Sequence, residues 1–174
     1  MTTGKAPAKA CGDCNLCCRL YDIDELRKPA GLLCGHSCES GCAIWGRHPK
    51  TCKTFTCLWL KHPLLDARWR PDVAGFVLRS EPDGVALWVD VDPLAPVGRW
   101  REAPYYGQFK YWSEALRRGE GMIIVRDGGQ TWVITPEEDL LVENAGPDDL
   151  VEAGYTHTPE GLRPWARLVQ QHAA

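Results

Sequence analysis

Apolar and polar positions divide the chain into two kinds of grammar. From residue 75 onward the pattern is regular. Residues 75–79 (Gly-Phe-Val-Leu-Arg) and 85–91 (Val-Ala-Leu-Trp-Val-Asp-Val) read as strands, with Glu81-Pro-Asp-Gly84 as the turn between them. Residues 105–118 place Tyr105, Phe109, Trp112 and Leu116 near one helical face, and Gly119 serves as the stop. Residues 121–126 and 130–135 read as two more strands joined by Asp127-Gly128-Gly129. The order ββαββ predicts an antiparallel sheet with a helix on one face. Residues 136–141, 147–153 and 159–170 predict short helices.

Before residue 63 that regularity is missing. Residues 1–10 form a polar, Lys- and Pro-containing lead that reads as disordered. In residues 11–62 only 22–28 predicts a short helix, capped by Asp22 and stopped by Pro29, with one or two helical turns over 51–60. Such a segment buries too little apolar surface to hold a fold by itself. The expected organisation is a lead (1–10), a Cys-rich lobe (11–62) and an α+β lobe (63–174).

The Cys-rich lobe carries the chemistry. All nine cysteines lie within it: Cys11, Cys14, Cys17, Cys18, Cys34, Cys38, Cys42, Cys52 and Cys57. Short Cys-x2-Cys and Cys-x3-Cys spacings let one turn of backbone present two thiolates to one ion. Cys11/Cys14, Cys14/Cys17, Cys34/Cys38 and Cys38/Cys42 are such pairs, and Cys52/Cys57 is a looser one. Metal would supply the folding energy that the lobe lacks. The predicted fold class is therefore α+β, with a small metal-stapled Cys-rich N-terminal lobe followed by a ββαββ antiparallel-sheet lobe.

Zinc and iron both suit this ligand set. Cys11-x2-Cys14-x2-Cys17 reproduces three ligand positions of a bacterial ferredoxin run, but Cys18 follows at once and no Cys-Pro completes it. Cys17 and Cys18 serve different sites, or one of them bridges. Nine thiols suffice for two four-Cys sites with one left over, or for a shared multinuclear cluster. His36, inside Cys34-Gly-His-Ser-Cys38, is read as a neighbour of the site rather than a ligand, because thiols are already in excess. His48 and His62 read as loop residues.

Charge is uneven. Residues 1–62 hold nine Lys/Arg against five Asp/Glu, while residues 63–174 hold eleven against eighteen. A basic lobe offsets thiolate charge, and its scattered cations lack the aromatic–basic repeat of a nucleic-acid surface. The N-terminus has no apolar signal segment, and no apolar run reaches the roughly 20 residues of a membrane span. The expected compartment is the cytoplasm, where thiols stay reduced. A disulfide-stapled protein and a metal-delivery protein remain alternatives.

Cys14-Asn-Leu-Cys17-Cys18-Arg19, Lys28-Pro-Ala-Gly31, Cys34-Gly-His36-Ser-Cys38, Gly41-Cys42-Ala-Ile44-Trp45 and the stretch from Arg47 through Cys52 and Cys57 to Trp59 together resemble the YkgJ-like CxxCxxCC cysteine-cluster family of zinc- or iron-chelating proteins. The likeness covers residues 11–60, and Arg70-Pro71-Asp72 extends it. His48 splits an Arg-Pro pair of the pattern, and Trp45 stands where Tyr is common. The resemblance implies chelation of zinc or iron by the nine cysteines.

No catalytic residue is assigned: phosphate loop, dinucleotide fingerprint, nucleophile elbow and His-Glu-x-x-His are all absent. Carboxylates such as Asp90, Glu137 and Asp139 fit turns and caps. Trp100, Tyr105, Tyr106, Tyr111 and Trp112 fit the core and rim of a helix–sheet interface. The functional expectation is a zinc- or iron-chelating protein, with an iron–sulfur protein in electron transfer, redox sensing or support of a modifying enzyme as the rival. A protein partner is compatible with either.

Overall fold

A computed structural model describes residues 9–80, 86–119, 121–145 and 149–169. The chain forms two compact units, Met1–Leu78 and Arg79–Ala174.

The first unit is built from very short elements. They are α1 (Leu16–Leu20), a 3-10 turn at Asp24–Leu26, β1 (Ser37–Cys38), β2 (Gly41–Cys42), α2 (Lys50–Thr54), α3 (Leu58–Lys61), a second 3-10 turn at Ala67–Trp69 and α4 (Pro71–Ala74). Among the described residues of this unit, no helix exceeds five residues. Nucleation is too costly for such helices to stand alone, so packing holds them. Leu16, Ile23, Trp59, Leu65, Trp69 and Ala74 are buried, and so are Cys14, Cys34 and Cys57. Pro71 opens α4 at a position needing no N–H, and Gly75 closes it in the left-handed region.

The helix expected over 22–28 is replaced by the Asp24–Leu26 turn, closed by a bridge between Ile23 and Lys28. The reason is Lys28. It is buried, and its amine donates to the carbonyls of Arg19 (2.8 Å) and Tyr21, which requires the chain to double back. The turns expected over 51–60 are present as α2 and α3.

A five-stranded sheet has the order β3 (Phe76–Ser80), β4 (Ala86–Val91), β5 (Met122–Asp127), β6 (Gln130–Ile134) and β7 (Asp139–Val142). The turn expected over 81–84 lies outside the described residues. α5 (Tyr105–Arg117) lies where the helical spacing put it and buries Tyr105, Phe109 and Ser113. The sheet is mixed rather than antiparallel throughout, because β4 and β5 run parallel, Ala86 opposite Met122. The physical reason is α5: a crossover through a helix lets the next strand start at the same end as the last. β5, β6 and β7 are antiparallel neighbours. The β5–β6 turn has Gly128 and Gly129 both at positive φ, as a two-residue hairpin turn demands.

The helices expected at the C-terminal end are strands. Thr135 binds Glu138 through N–H and hydroxyl, which makes Pro136-Glu137 a turn into β7. β8 (Leu150–Thr158) and β9 (Gly161–Val169) form a nine-residue antiparallel ladder. Their period is two: Val151, Ala153, Tyr155, Ala166 and Leu168 pack on Met122, Ile124, Val133 and Val142 of the sheet. This explains why β5 is buried at four successive residues, Met122 to Val125: its two faces are both covered. Among the described residues, no helix is long and apolar enough to cross a membrane.

Candidate metal centre

Eight of the nine cysteines line one cavity of about 770 Å³ in the first unit: Cys11, Cys14, Cys17, Cys18, Cys34, Cys42, Cys52 and Cys57. Cys38 is not among its lining residues. The hairpin explains the exception. Ser37 pairs with Cys42 and Cys38 with Gly41, so Cys38 and Cys42 point to opposite faces of the ladder. Cys38 meets the Ser40 hydroxyl instead, Sγ to Oγ 3.4 Å. All nine cysteines are free thiols.

Local backbone interactions bring these thiols together. Cys14 N–H donates to the Cys11 carbonyl (3.0 Å), and Cys34 N–H donates to the Cys18 carbonyl (3.0 Å). Asn15 reaches across to the Cys38 carbonyl (3.0 Å), tying the first cysteine turn to the hairpin. The hairpin also approaches from the other side: a Cβ on Gly41 would lie 2.3 Å from the Gly12 carbonyl oxygen. Glu25 receives the N–H (3.2 Å) and hydroxyl (2.8 Å) of Thr51 and so fixes α2 with Cys52. Lys9 donates to the carbonyls of Trp59 (2.9 Å), His62 (2.6 Å) and Leu65, holding the C-terminal end of α3.

The thiols feel one another. Burial pushes the Cys11 thiol up, with Cys57, Cys14 and Cys18 adding to it. Burial pushes Cys14 up, opposed by the N–H groups of Leu16 and Asp72 that point at its sulfur. Burial likewise raises Cys57, opposed by the N–H groups of Leu60 and Trp59. Cys17 is raised first by the hydrogen bond it gives to Cys18 and then by burial. Cys18 is the exception: that same hydrogen bond holds it down to about 7 against burial, helped by the Lys28 charge. Burial raises Cys52, followed by Cys18, Cys34 and Cys42.

Among the described residues, no three His, Cys, Asp or Glu side chains are arranged so that they could hold a metal ion as they stand. The thiols share walls, not a preformed coordination sphere. Their chemistry nevertheless fits a soft cation, since thiolates crowded in an apolar cavity repel each other until positive charge arrives.

The remaining sequence candidates fall as follows. His36 lines the cavity. His48 also lines it, but its Nδ1 accepts the Gly46 N–H (3.0 Å) and its ring stacks on Trp45. His62 contributes a carbonyl to Lys9. Sequence reasoning missed Lys28 as the buried cation beside Cys18, and Arg70, which pairs with Asp13 and, at 2.8 Å, with Asp72. The basic excess of residues 1–62 was the available signal for Lys28. Of the aromatic residues of the second unit, Trp100 and Tyr105 are buried in the core, whereas Tyr111 is exposed. Trp100 is buried with its indole N–H on Asp127 (3.1 Å), and Asp139 receives Tyr106 (3.0 Å) and pairs with Arg101 (2.6 Å) and Lys110 (2.8 Å).

Compared with known proteins, the chain matches no family model, no curated protein and no solved structure.

Proposed function

We propose that this protein chelates a soft metal, zinc or iron, through the cysteines of its first unit. The observation that carries this reading is the convergence of eight thiols, from four separate chain segments, on the walls of one cavity. Residues 11–18, 34, 42 and 52–57 are distant in sequence, and a fold has no packing reason to gather sulfur so selectively. Burial first, and neighbouring thiols after it, push Cys11 and Cys52 toward the protonated form, and a bound cation would offset both while releasing protons. The N–H groups aimed at Cys14 and Cys57 favour the thiolate form that a metal needs. The CxxCxxCC resemblance points to the same chemistry. Reduced thiols in this number suit the cytoplasm, and the metal-closed lobe would present its surface to a protein partner rather than to nucleic acid.

The size of the cavity favours a second form of the reading. At about 770 Å³ it is larger than one tetrahedral ion requires and falls in the range of sites for multi-atom ligands. An iron–sulfur cluster serving electron transfer or redox sensing is therefore the rival to mononuclear zinc.

Anaerobic purification followed by analysis for zinc, iron and acid-labile sulfide tests both. Colourless protein with stoichiometric zinc supports structural chelation. Brown protein with sulfide supports the cluster. Folded protein that takes up neither metal, or that holds its cysteines as disulfides, overturns the proposal.

A further inference from the structure

We infer that the thiols divide into two four-cysteine metal sites, a closed one formed by Cys11, Cys14, Cys17 and Cys57 and an open one formed by Cys18, Cys34, Cys42 and Cys52. This rests on the chelation reading above and adds to it which cysteines act together and how exposed each ion is.

The closed site comes from a second cavity that adjoins the first. It measures about 20 Å³, and its lining contains four cysteines: Cys11, Cys14, Cys17 and Cys57. A space of that size admits one water-sized particle, which suits a single ion and excludes a polynuclear cluster. Trp59, Leu60 and Pro71 complete its wall, so the surroundings other than sulfur are apolar. Four thiolates and an apolar lid are the features of a structural site, in which no coordination position is left for water. Backbone N–H groups from Leu16 and Asp72 to Cys14, and from Trp59 and Leu60 to Cys57, support the thiolates from outside.

The other four cavity-lining thiols belong to the large cavity alone. The split falls between two adjacent residues. Cys17 and Cys18 sit on α1 with their thiols hydrogen-bonded to each other, and Cys17 lines both cavities while Cys18 lines the large one alone. The bond from Cys34 N–H to the Cys18 carbonyl sets Cys34 beside Cys18, the hairpin turns Cys42 to the cavity side, and the Glu25–Thr51 contacts hold Cys52. Cys38 is the ninth, outside both sets. The open set lines a roomy cavity, which gives its ion a route for exchange.

Titration of the reduced full-length chain with Zn²⁺ alone, read by native mass spectrometry, tests this. Wild type is expected to take two ions per chain. Cys57→Ser and Cys52→Ser should each take one, the double variant none, and Cys38→Ser two. A colorimetric chelator should strip wild type in two phases, and Cys52→Ser should lack the fast phase. Because Cys57→Ser removes a structural ligand, its circular dichroism is recorded. If it unfolds, Cys34→Ser, Cys52→Ser and their combination carry the test, each expected to lose the same single ion. Wild type that binds no zinc defeats the chelation reading itself. Wild type that binds zinc, while Cys57→Ser and Cys52→Ser lose the same ion or Cys34→Ser and Cys52→Ser lose different ones, leaves chelation standing and overturns the division.

Discussion

Gly41→Ala is the substitution that best probes how the thiol cavity is assembled. Gly41 sits at φ 118°, and a Cβ there would lie 2.3 Å from the Gly12 carbonyl oxygen. Real Cβ contacts stay beyond 3.0 Å, so the two backbones must part by at least 0.7 Å. Neither contact atom belongs to a side chain, and no rotamer change relieves it. The backbone conformation costs about 1–2 kcal/mol for a residue with a Cβ, and forcing apart a packed contact adds about 1–3 kcal/mol. The expected loss is therefore about 3 kcal/mol. Gly12→Ala is the internal control. Gly12 also has positive φ, 56°, but its added Cβ would meet nothing within 4 Å, so only the conformational cost of about 1 kcal/mol applies. Urea denaturation of both variants reads the difference directly, and zinc uptake reads its consequence. Gly41→Ala pushes the hairpin with Cys42 away from the Cys11–Cys14 turn and, under the proposed function, should weaken zinc binding, whereas Gly12→Ala should not. Equal losses of stability in the two variants would refute the close approach and with it the account of how the hairpin joins the site.

Three further outcomes follow from the packing. Tyr155 has a buried hydroxyl with no hydrogen-bond partner among the described residues, so Tyr155→Phe should stabilise the protein by about 1 kcal/mol in urea. Burial raises that phenol from 10.0 to about 12. The unfolded chain therefore loses its proton first, and wild-type stability should fall by about 1–2 kcal/mol between pH 10 and 12, a loss that Tyr155→Phe lacks; an unchanged alkaline profile would refute this. Phe109→Ala empties a fully buried position on α5 and should cost about 3–5 kcal/mol in thermal or urea melts, a loss under about 1 kcal/mol being incompatible with the packing described. Lys28→Met removes the donor to two carbonyls and the cation beside Cys18. It should cost about 2 kcal/mol and slow alkylation of Cys18 in the metal-free chain at pH 7, because without that charge the thiol titrates higher.

The parts of the fold legible in the sequence were those whose pattern local chemistry decides. The apolar runs around Phe76, Leu87 and Ile123, the one-face spacing of Tyr105 and Phe109, and the Asp127-Gly-Gly turn each named their element. The C-terminal hairpin was misread because prolines stood where a helix could begin. Pro159 is in fact the turn between Thr158 and Gly161, and the alternation of Val151, Ala153 and Tyr155 was the signal to follow. The parallel β4–β5 pair was hidden for a different reason: strand direction depends on which way the chain returns after α5, and no residue encodes that. At the site, the sulfur pool was plain but its arrangement was not. Spacing suggested Cys34/Cys38 and Cys38/Cys42 as partners, yet a two-residue strand turns Cys38 from the cavity. Cys57 shares a cavity wall with Cys11, Cys14 and Cys17 across forty residues or more, a juxtaposition that only the fold creates.

That juxtaposition has an energetic consequence under the proposed function. An ion held by Cys17 and Cys57 closes a loop of forty residues, and constraining such a loop in the unfolded chain contributes on the order of 4 kcal/mol in the chain-entropy view. The first unit has need of it. Its helices have four or five residues, and three thiols, Cys14, Cys34 and Cys57, occupy buried positions where another protein would place leucine. The second unit has its own continuous core of Ile123, Val125, Val133, Ile134 and Phe109. Removal of metal should therefore act unequally. In hydrogen exchange after chelator treatment, amides of residues 11–62 should lose protection while those of β5 and β6 keep theirs. Uniform loss along the chain would contradict a metal confined to the first unit, and unchanged protection at Cys34, Cys57 and Trp59 would show that packing alone holds that unit together.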